Sequence, residues 1–458
     1  MAYEEVSPAS WRQQRRWLRF AAEQSRSLMK DVILGRIVVA ASSLSGHVLP
    51  MLRIGAHLQE EGHDVTVVSA AEFRDDVERA GLRLAPLGPA AHVRPPSQPP
   101  RIPMPNLLRR LLLGLAELES TFVAPLAAQY DALEHVLAQG PVDVVLADLT
   151  FTGVLPLLLK ERSRPAVFAI GVGPITLSSM DTPPFGMAWA PRQGMDYEGV
   201  HRVVQNILLR GVQNSLNRAL GTRGAPPSPV SLVDWPRVAD RLLQLTVPAF
   251  EYPRRDLPET VDFIGPVLLD RAAAFDPPDW WPEMLAARTV VHVTQGTFDN
   301  HDQDRLIGPT LAALRDTDAV VVATTGRPLT FTDVPPNAFV AEWLPYQALL
   351  PHVDVMVTNG GYGGVQHALR YGIPLIVAGE TSDKAEVAAR VAYTGVGVNL
   401  GTTAPSVSRI RSAVDEVLAS SDYRDAAQRM GADIADLRAL DRIGQLVGSA
   451  TQTRGVHN

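Results

Sequence analysis

A chain of 458 residues, 46% of them apolar, is too long for one compact core, and two domains of roughly 200 residues each are expected. A formal charge of −7 argues against duplex nucleic acid as a partner, and the absence of cysteine excludes disulfides, thiolate metal sites and a cysteine nucleophile. The longest apolar runs, 111–116 and 154–159, fall far short of the roughly 20 residues that span a bilayer, so no integral membrane segment is expected and the composition is that of a cytoplasmic enzyme.

The first 28 residues stand apart as a basic, aromatic extension carrying Trp11, Arg12, Arg15, Arg16 and Trp17. It lacks the apolar core of a secretory signal, which leaves three readings: a start placed upstream of Met29, a clasp helix, or a helix lying on a membrane surface. From there strand and helix alternate. Residues 36–41 are an apolar, β-branched run that predicts a strand, 42–46 a small-residue turn, and 47–61 a helix with Val48, Met51, Leu52, Gly55 and Leu58 at helical spacing. Pro50 is placed in its first turn, where no hydrogen bond is lost. Strands follow at 64–69, 142–147 and 166–171, with a proline-rich loop at 95–105.

Prolines 253 and 258 break the periodicity of 249–260, which is assigned as a linker between a first unit, 29–248, and a second, 261–458, whose last helix has the option of packing back on the first. In the second unit, 289–294 and 319–325 are strands, with Gln295, Gly296 and Thr297 forming a turn after the former. Trp343 and Pro345 then precede a buried strand at 354–358, a glycine-rich turn at 359–364 and a helix from Val365 that Gly372 and Pro374 stop. The expected fold is α/β, with two Rossmann-like parallel sheets whose strand ends share one cleft. A strand, a glycine turn and a helix start make an anion site, because first-turn N–H groups are unpaired and glycines admit a diphosphate close to the backbone.

Trp343, Pro345, the stretch 354–368 with its glycines, and the pair Asp383 and Lys384 together resemble the signature of the family 1 nucleotide-sugar-dependent glycosyltransferases. These GT-B enzymes of two facing Rossmann-like domains include macrolide glycosyltransferases and UDP-glucuronosyltransferases. The resemblance places the donor base on Trp343 and the diphosphate on Gly360, Gly361, Gly363 and Gly364, with Gly296 and Thr297 facing it from the second turn. The chain departs from the pattern at four places. The glutamine after the proline is Tyr346, with Gln347 one place later. The phosphate-facing histidine is Asn359, whose amide can still donate a hydrogen bond. The usual hydroxyl falls on Gly364, and the ribose-holding carboxylate falls on His367. Sugar hydroxyls fall to Asp383 and Lys384. The chain has 39 arginines and three lysines, so a lysine at that place is notable. Heavy use of Ala, Arg, Pro and Val with so few lysines suggests a GC-rich bacterial genome.

Of the eleven histidines, His47 is best placed as a general base, since it follows a strand and a small-residue turn and opens a helix. Helix polarity there is expected to disfavour the protonated ring and keep the base neutral near pH 7. The resemblance puts the acid that orients it on Asp148. Asp143, at the other end of the same strand, is the competitor. Asp302 with Asp304, and Asp316 with Asp318, match the spacing of a cation motif but fall near predicted helix ends, and no metal and no cofactor are assigned. The expected reaction is a metal-independent, inverting transfer from a UDP- or dTDP-sugar to a hydrophobic hydroxylated acceptor, a polyketide, macrolide or phenol. Residues 95–115, then Met180, Pro184, Phe185, Met187 and Trp189, are expected to line the acceptor wall, with core packing as the alternative for these side chains. A sugar-nucleotide epimerase and a non-catalytic helper of the same fold are the other readings.

Overall fold

The computed structural model describes residues 34–94, 106–161, 163–268, 275–296, 300–330, 333–380 and 383–455. The extension 1–28, the loop 95–105 and Thr297 lie outside the described residues. The first sheet contains β1 (Arg36–Ala40), β2 (Asp64–Ala70), β3 (Arg83–Leu87), β4 (Val144–Asp148), β5 (Ala166–Gly171), β6 (Arg241–Gln244) and β7 (Val261–Phe263), in the order β3-β2-β1-β4-β5-β6-β7. The second contains β8 (Val290–Thr294), β9 (Val320–Thr324), β10 (Ala338–Ala341), β11 (Val355–Thr358), β12 (Leu375–Val377) and β13 (Gly397–Asn399), in the order β10-β9-β8-β11-β12-β13. Neighbouring strands in both sheets run parallel.

Parallel strands are covered on both faces, which is why these segments read as continuous apolar runs. Successive side chains still alternate between the faces. Val38, Ala40, Val145 and Ala147 enter one core, and Ile37, Val39, Val144 and Leu146 enter the core on the other side of the same sheet. The second sheet repeats the arrangement, with Val290 and Met356 on one face and Val291, Val293, Val355 and Val357 on the other. Each such valine, leucine or isoleucine contributes about 1.5–3 kcal/mol by leaving water.

Seven helices position the site and the join between the units: α1 (Ser45–Glu60), α2 (Asn106–Leu118), α3 (Leu126–Leu137), α4 (Tyr346–Leu349), α5 (Tyr362–Arg370), α6 (Lys384–Tyr393) and α7 (Ala439–Gly455). Helix α1 starts two residues before the predicted point. Pro50 therefore sits inside it, past the first turn, and deprives the Gly46 carbonyl of its i+4 donor next to His47. Helix α5 begins at Tyr362 rather than Val365, because its first residue is buried and its hydroxyl lies 3.3 Å from Gln244 Nε2 of the first unit. That tertiary anchor overrides the poor helix propensity of Gly363 and Gly364.

A π turn at Glu119–Val123 joins α2 to α3, and the stretch Leu111–Leu137 is long and apolar enough to cross a membrane by length and composition alone. Glu117, Glu119 and Ser120 break its apolar runs, so run length did not reveal it. Leu126, Tyr130, Leu133 and Val136 from its second half lie in the core of the first sheet.

The boundary between units also differs from the sequence reading. Strand β7 pairs with β6 and so belongs to the first sheet, while Val247 and Phe250, which precede it, lie in the core of the second unit. The chain thus crosses the join more than once. At its end Ala439, Ile443 and Val447 of α7 return to the first unit's core, beside Met51 and Leu58 of α1. Contact there is close: a Cβ on Gly444 would lie 2.4 Å from Glu61 Oε2.

Candidate active site

In each sheet the strand order reverses beside one central strand, and a crevice opens at the carboxyl ends of the strands there. In the first sheet β1 and β4 meet at that point. The first turn of α1, which follows β1, carries His47 at that crevice, and β4 ends on Asp148. In the second sheet the equivalent neighbours are β8 and β11, whose ends carry Gly296 and Asn359–Gly361.

His47 Nδ1 lies 3.0 Å from Asp148 Oδ1. The Asp148 side chain is wholly buried, whereas that of His47 is 24% exposed. The carboxylate is fully engaged. Its Oδ2 accepts the Ser42 N–H at 2.6 Å, and its Oδ1 also accepts the Thr150 N–H at 2.7 Å and the Thr150 hydroxyl at 2.6 Å. Burial pushes the Asp148 pKa up, but the charge of His47 and these hydrogen bonds outweigh it, and the carboxyl stays below its ordinary range. An acceptor-only carboxylate fixes the imidazole with Nδ1 protonated, which leaves Nε2 as the basic nitrogen. Asp143 is excluded from this role: its Oδ2 accepts the Arg36 N–H at the opposite end of the sheet.

The electrostatics of His47 differ from the expectation of a ring kept neutral by helix polarity. Burial lowers its pKa, but the charge and hydrogen bond of Asp148, reinforced by the charge of Asp383, raise it above the ordinary value. Asp383 comes from the other unit. It precedes α6, and its Oδ2 is 3.7 Å from where a Cβ on Gly173 would lie, in the loop after β5. The two sheets therefore bring His47 and Asp383 to one place.

The donor side is built mostly from backbone. Gly296 and Gly360 have φ of 71° and 85°, left-handed conformations that favour glycine, and a Cβ on Gly360 would meet Val377 Cγ1 at 2.7 Å. Lys384 packs over the same turn, its carbonyl oxygen 3.5 Å from that Cβ position. No side chain caps the start of α5, and the space where a Cβ on Gly363 would point is open. Asn359 is buried. Its Nδ2 donates to the Gln295 carbonyl and its Oδ1 accepts the Gly361 N–H at 3.3 Å, so its amide ties the turns after β8 and β11 together. The Trp343 side chain is among the exposed large apolar groups, at 55%. Gln347 is half-buried on α4, and His367 is buried on α5 with its ring edge-on to Tyr346 at 5.3 Å.

Leu118, Phe122, Leu149, Phe185, Leu232 and Trp235 line a small apolar cavity of about 10 Å³, room for no more than a water-sized group. Trp235 Nε1 donates to the Leu149 carbonyl at 2.9 Å and fixes the wall beside Asp148. Of the side chains expected at the acceptor wall, Phe185 lines this cavity and Met187 is half-buried. The Met180 N–H donates to Asp256 Oδ2 and its carbonyl accepts from Tyr197, which ties it to the segment leading to β7, and Trp189 is 53% exposed. Sequence reading did not single out Ser42 and Thr150, whose hydrogen bonds to Asp148 depend on the pairing of β1 with β4.

A buried ion network lies behind the cleft. Arg390 of α6 pairs with Glu251 at 2.8 Å and Glu386 at 2.9 Å, and Glu386 accepts the N–H groups of Gly186 and Ala188, both at 2.8 Å. It links the donor unit to the loop that carries Phe185.

Residues 309–439 match the family model described as the C-terminal domain of erythromycin biosynthesis protein CIII-like proteins. The 4'-demethylrebeccamycin synthase of Lentzea aerocolonigenes is 38% identical over 421 residues, covering 90% of this chain and 99% of the relative. UDP-glycosyltransferase 2 of Phaeomoniella chlamydospora is 32% identical over 427 residues, 89% of this chain and 94% of its own length. Among solved structures, the glycosyltransferase of kitacinnamycin superposes with a TM-score of 0.69 at 21% identity, covering 91% of this chain and 99% of the other. With two parallel sheets facing one crevice and relatives matched along nearly their whole length, the chain belongs to the family 1 glycosyltransferases of GT-B fold. It is an enzyme of the glycosyltransferase class.

Proposed function

We propose that the protein moves a sugar from a UDP- or dTDP-sugar to a hydroxyl of a hydrophobic natural product, in a single inverting displacement that uses no metal ion. One observation carries this reading: His47, oriented by Asp148 at 3.0 Å, meets the field of Asp383 from the opposite unit. The acceptor oxygen attacks the anomeric carbon while its proton passes to His47 Nε2. The bond from that carbon to the diphosphate breaks on the far side, and the electron pair leaves with the nucleoside diphosphate. The helix start of α5 and the glycine turns offset the charge that develops there. Attack from one face inverts the carbon and needs no enzyme nucleophile.

The printed name of the Lentzea relative supports a natural-product acceptor. Trp343 is assigned to the donor base, Gln347 and His367 to the nucleoside, and Asp383 with Lys384 to the sugar. The test is incubation with panels of UDP- and dTDP-sugars, with and without phenolic or polyketide acceptors. Conjugate mass, opposite anomeric configuration and diphosphate release only with acceptor are expected. Isomerised donor without acceptor would mark an epimerase, and retained configuration would sink the displacement.

A further inference from the structure

Tyr346 stands out because it fills a place the sequence left bare. The first residue of α4, it directs its hydroxyl to within 3.8 Å of where a Cβ on Gly364 would lie, beside the first turn of α5. The same hydroxyl bonds Thr294 at the end of β8, and burial pushes its pKa up to about 12, so the phenol keeps its proton at physiological pH. Thr294 Oγ1 in turn accepts the Gly296 N–H at 3.3 Å. The phenol oxygen thus sits between the end of β8 and the first turn of α5.

The ring is also held in place. His292 stands edge-on to it at 5.9 Å and His367 at 5.3 Å. His292 is fully buried, with a pKa lowered to about 4, and its Nδ1 donates to the Val322 carbonyl. A neutral, fixed imidazole can brace the phenol without adding charge to the site. A hydroxyl with a retained proton and a fixed ring is a preorganised donor for an anionic oxygen.

We propose that Tyr346 is a diphosphate-binding residue whose hydroxyl donates to a phosphate oxygen of the nucleotide, serving from α4 the place that Gly364 leaves without a side chain. Tyr346 and Gly364 then form one unit: glycine leaves the space and tyrosine supplies the hydroxyl. This assignment rests on the donor site proposed above. It goes further by naming a ligand contact that the linear pattern of the second unit does not contain.

The test measures UDP and dTDP affinity by calorimetry for the whole protein, for Tyr346→Phe, and for Tyr346→Phe combined with Gly364→Ser. A hydrogen bond to a charged oxygen is lost in the first variant, so binding should weaken by about 10- to 100-fold with little change in Tm. Serine at 364 should then restore most of the affinity, a rescue that a purely structural tyrosine would not show. A Tyr346→Phe protein that binds both diphosphates like wild type, or whose loss serine at 364 does not reverse, overturns the assignment. A wild-type protein that shows the hydroxyl effect and forms no conjugate with any donor sinks the transfer reading and leaves this one standing.

Discussion

The two walls of the cleft are made differently. On the first unit the proposed chemistry rests on side chains: one histidine, one buried carboxylate, and the Ser42 and Thr150 groups that saturate it. On the second unit most of the cradle is main chain, glycine turns and an uncapped helix start, with Asn359 acting as a tie between turns. The contrast has a mechanistic reason. Proton transfer needs a group of tuned basicity, which only a side chain supplies, whereas a diphosphate is met well by N–H groups that cost no side-chain entropy to fix. Deleting a side chain should therefore disable the first wall, whereas on the second an added side chain should do harm where backbone crowds the glycine, as at Gly379, and little where the space is open.

The largest effect is expected from His47→Ala, which removes the base and should lower kcat by about 10²–10⁴-fold with donor affinity and Tm little changed. Comparable retention of turnover would mean that water, rather than this ring, takes the proton. On the opposite wall the strongest test adds a methyl group. A Cβ on Gly379 would lie 2.1 Å from the Asn359 carbonyl oxygen and 2.9 Å from Lys384 Cβ. Gly379→Ala should destabilise the second unit by at least about 2 kcal/mol and weaken nucleotide binding, read by thermal melts and calorimetry.

Trp343→Ala should raise the donor KM by about 5- to 100-fold through loss of base stacking, at nearly constant Tm because the side chain is already exposed. An unchanged donor KM would remove the base from this position.

The pH profile links the two walls. Because the base acts unprotonated and its pKa is raised, kcat/KM should rise with pH along an acid limb lying above that of an ordinary histidine. Asp383→Asn should move that limb to lower pH by withdrawing a negative charge on the donor side; a limb that does not move would separate the two units electrostatically. The smallest effect is expected at Gly363, where an added Cβ meets nothing within 4 Å. Gly363→Ala should leave stability within about 1 kcal/mol or slightly higher, through better helix propensity, which makes it the control for Gly379→Ala.

Much of this was legible in the sequence, for reasons that also mark where legibility ended. Apolar β-branched runs predicted strands such as β1, β5 and β8 within a residue or two, because a doubly covered parallel strand has few other compositions. The place of His47 after a strand and small-residue turn was likewise a local signal. What sequence alone missed depends on distant partners. The early start of α5 needs Gln244 of the other unit, and the raised pKa of His47 comes first from Asp148 and then from Asp383, more than three hundred residues away. The identity of β7 as an edge strand of the first sheet was hidden because its three residues carry no pattern of their own.

The return of α7 to the first core has a practical consequence for recombination among relatives. A chimera that exchanges the nucleotide-binding half at the linker alone would graft a foreign tail onto Met51 and Leu58, and would set an unmatched residue against Glu61 where Gly444 now allows close approach. Donor preference should transplant cleanly only when residues 439–455 stay with the acceptor half, so the exchangeable module ends before the polypeptide does.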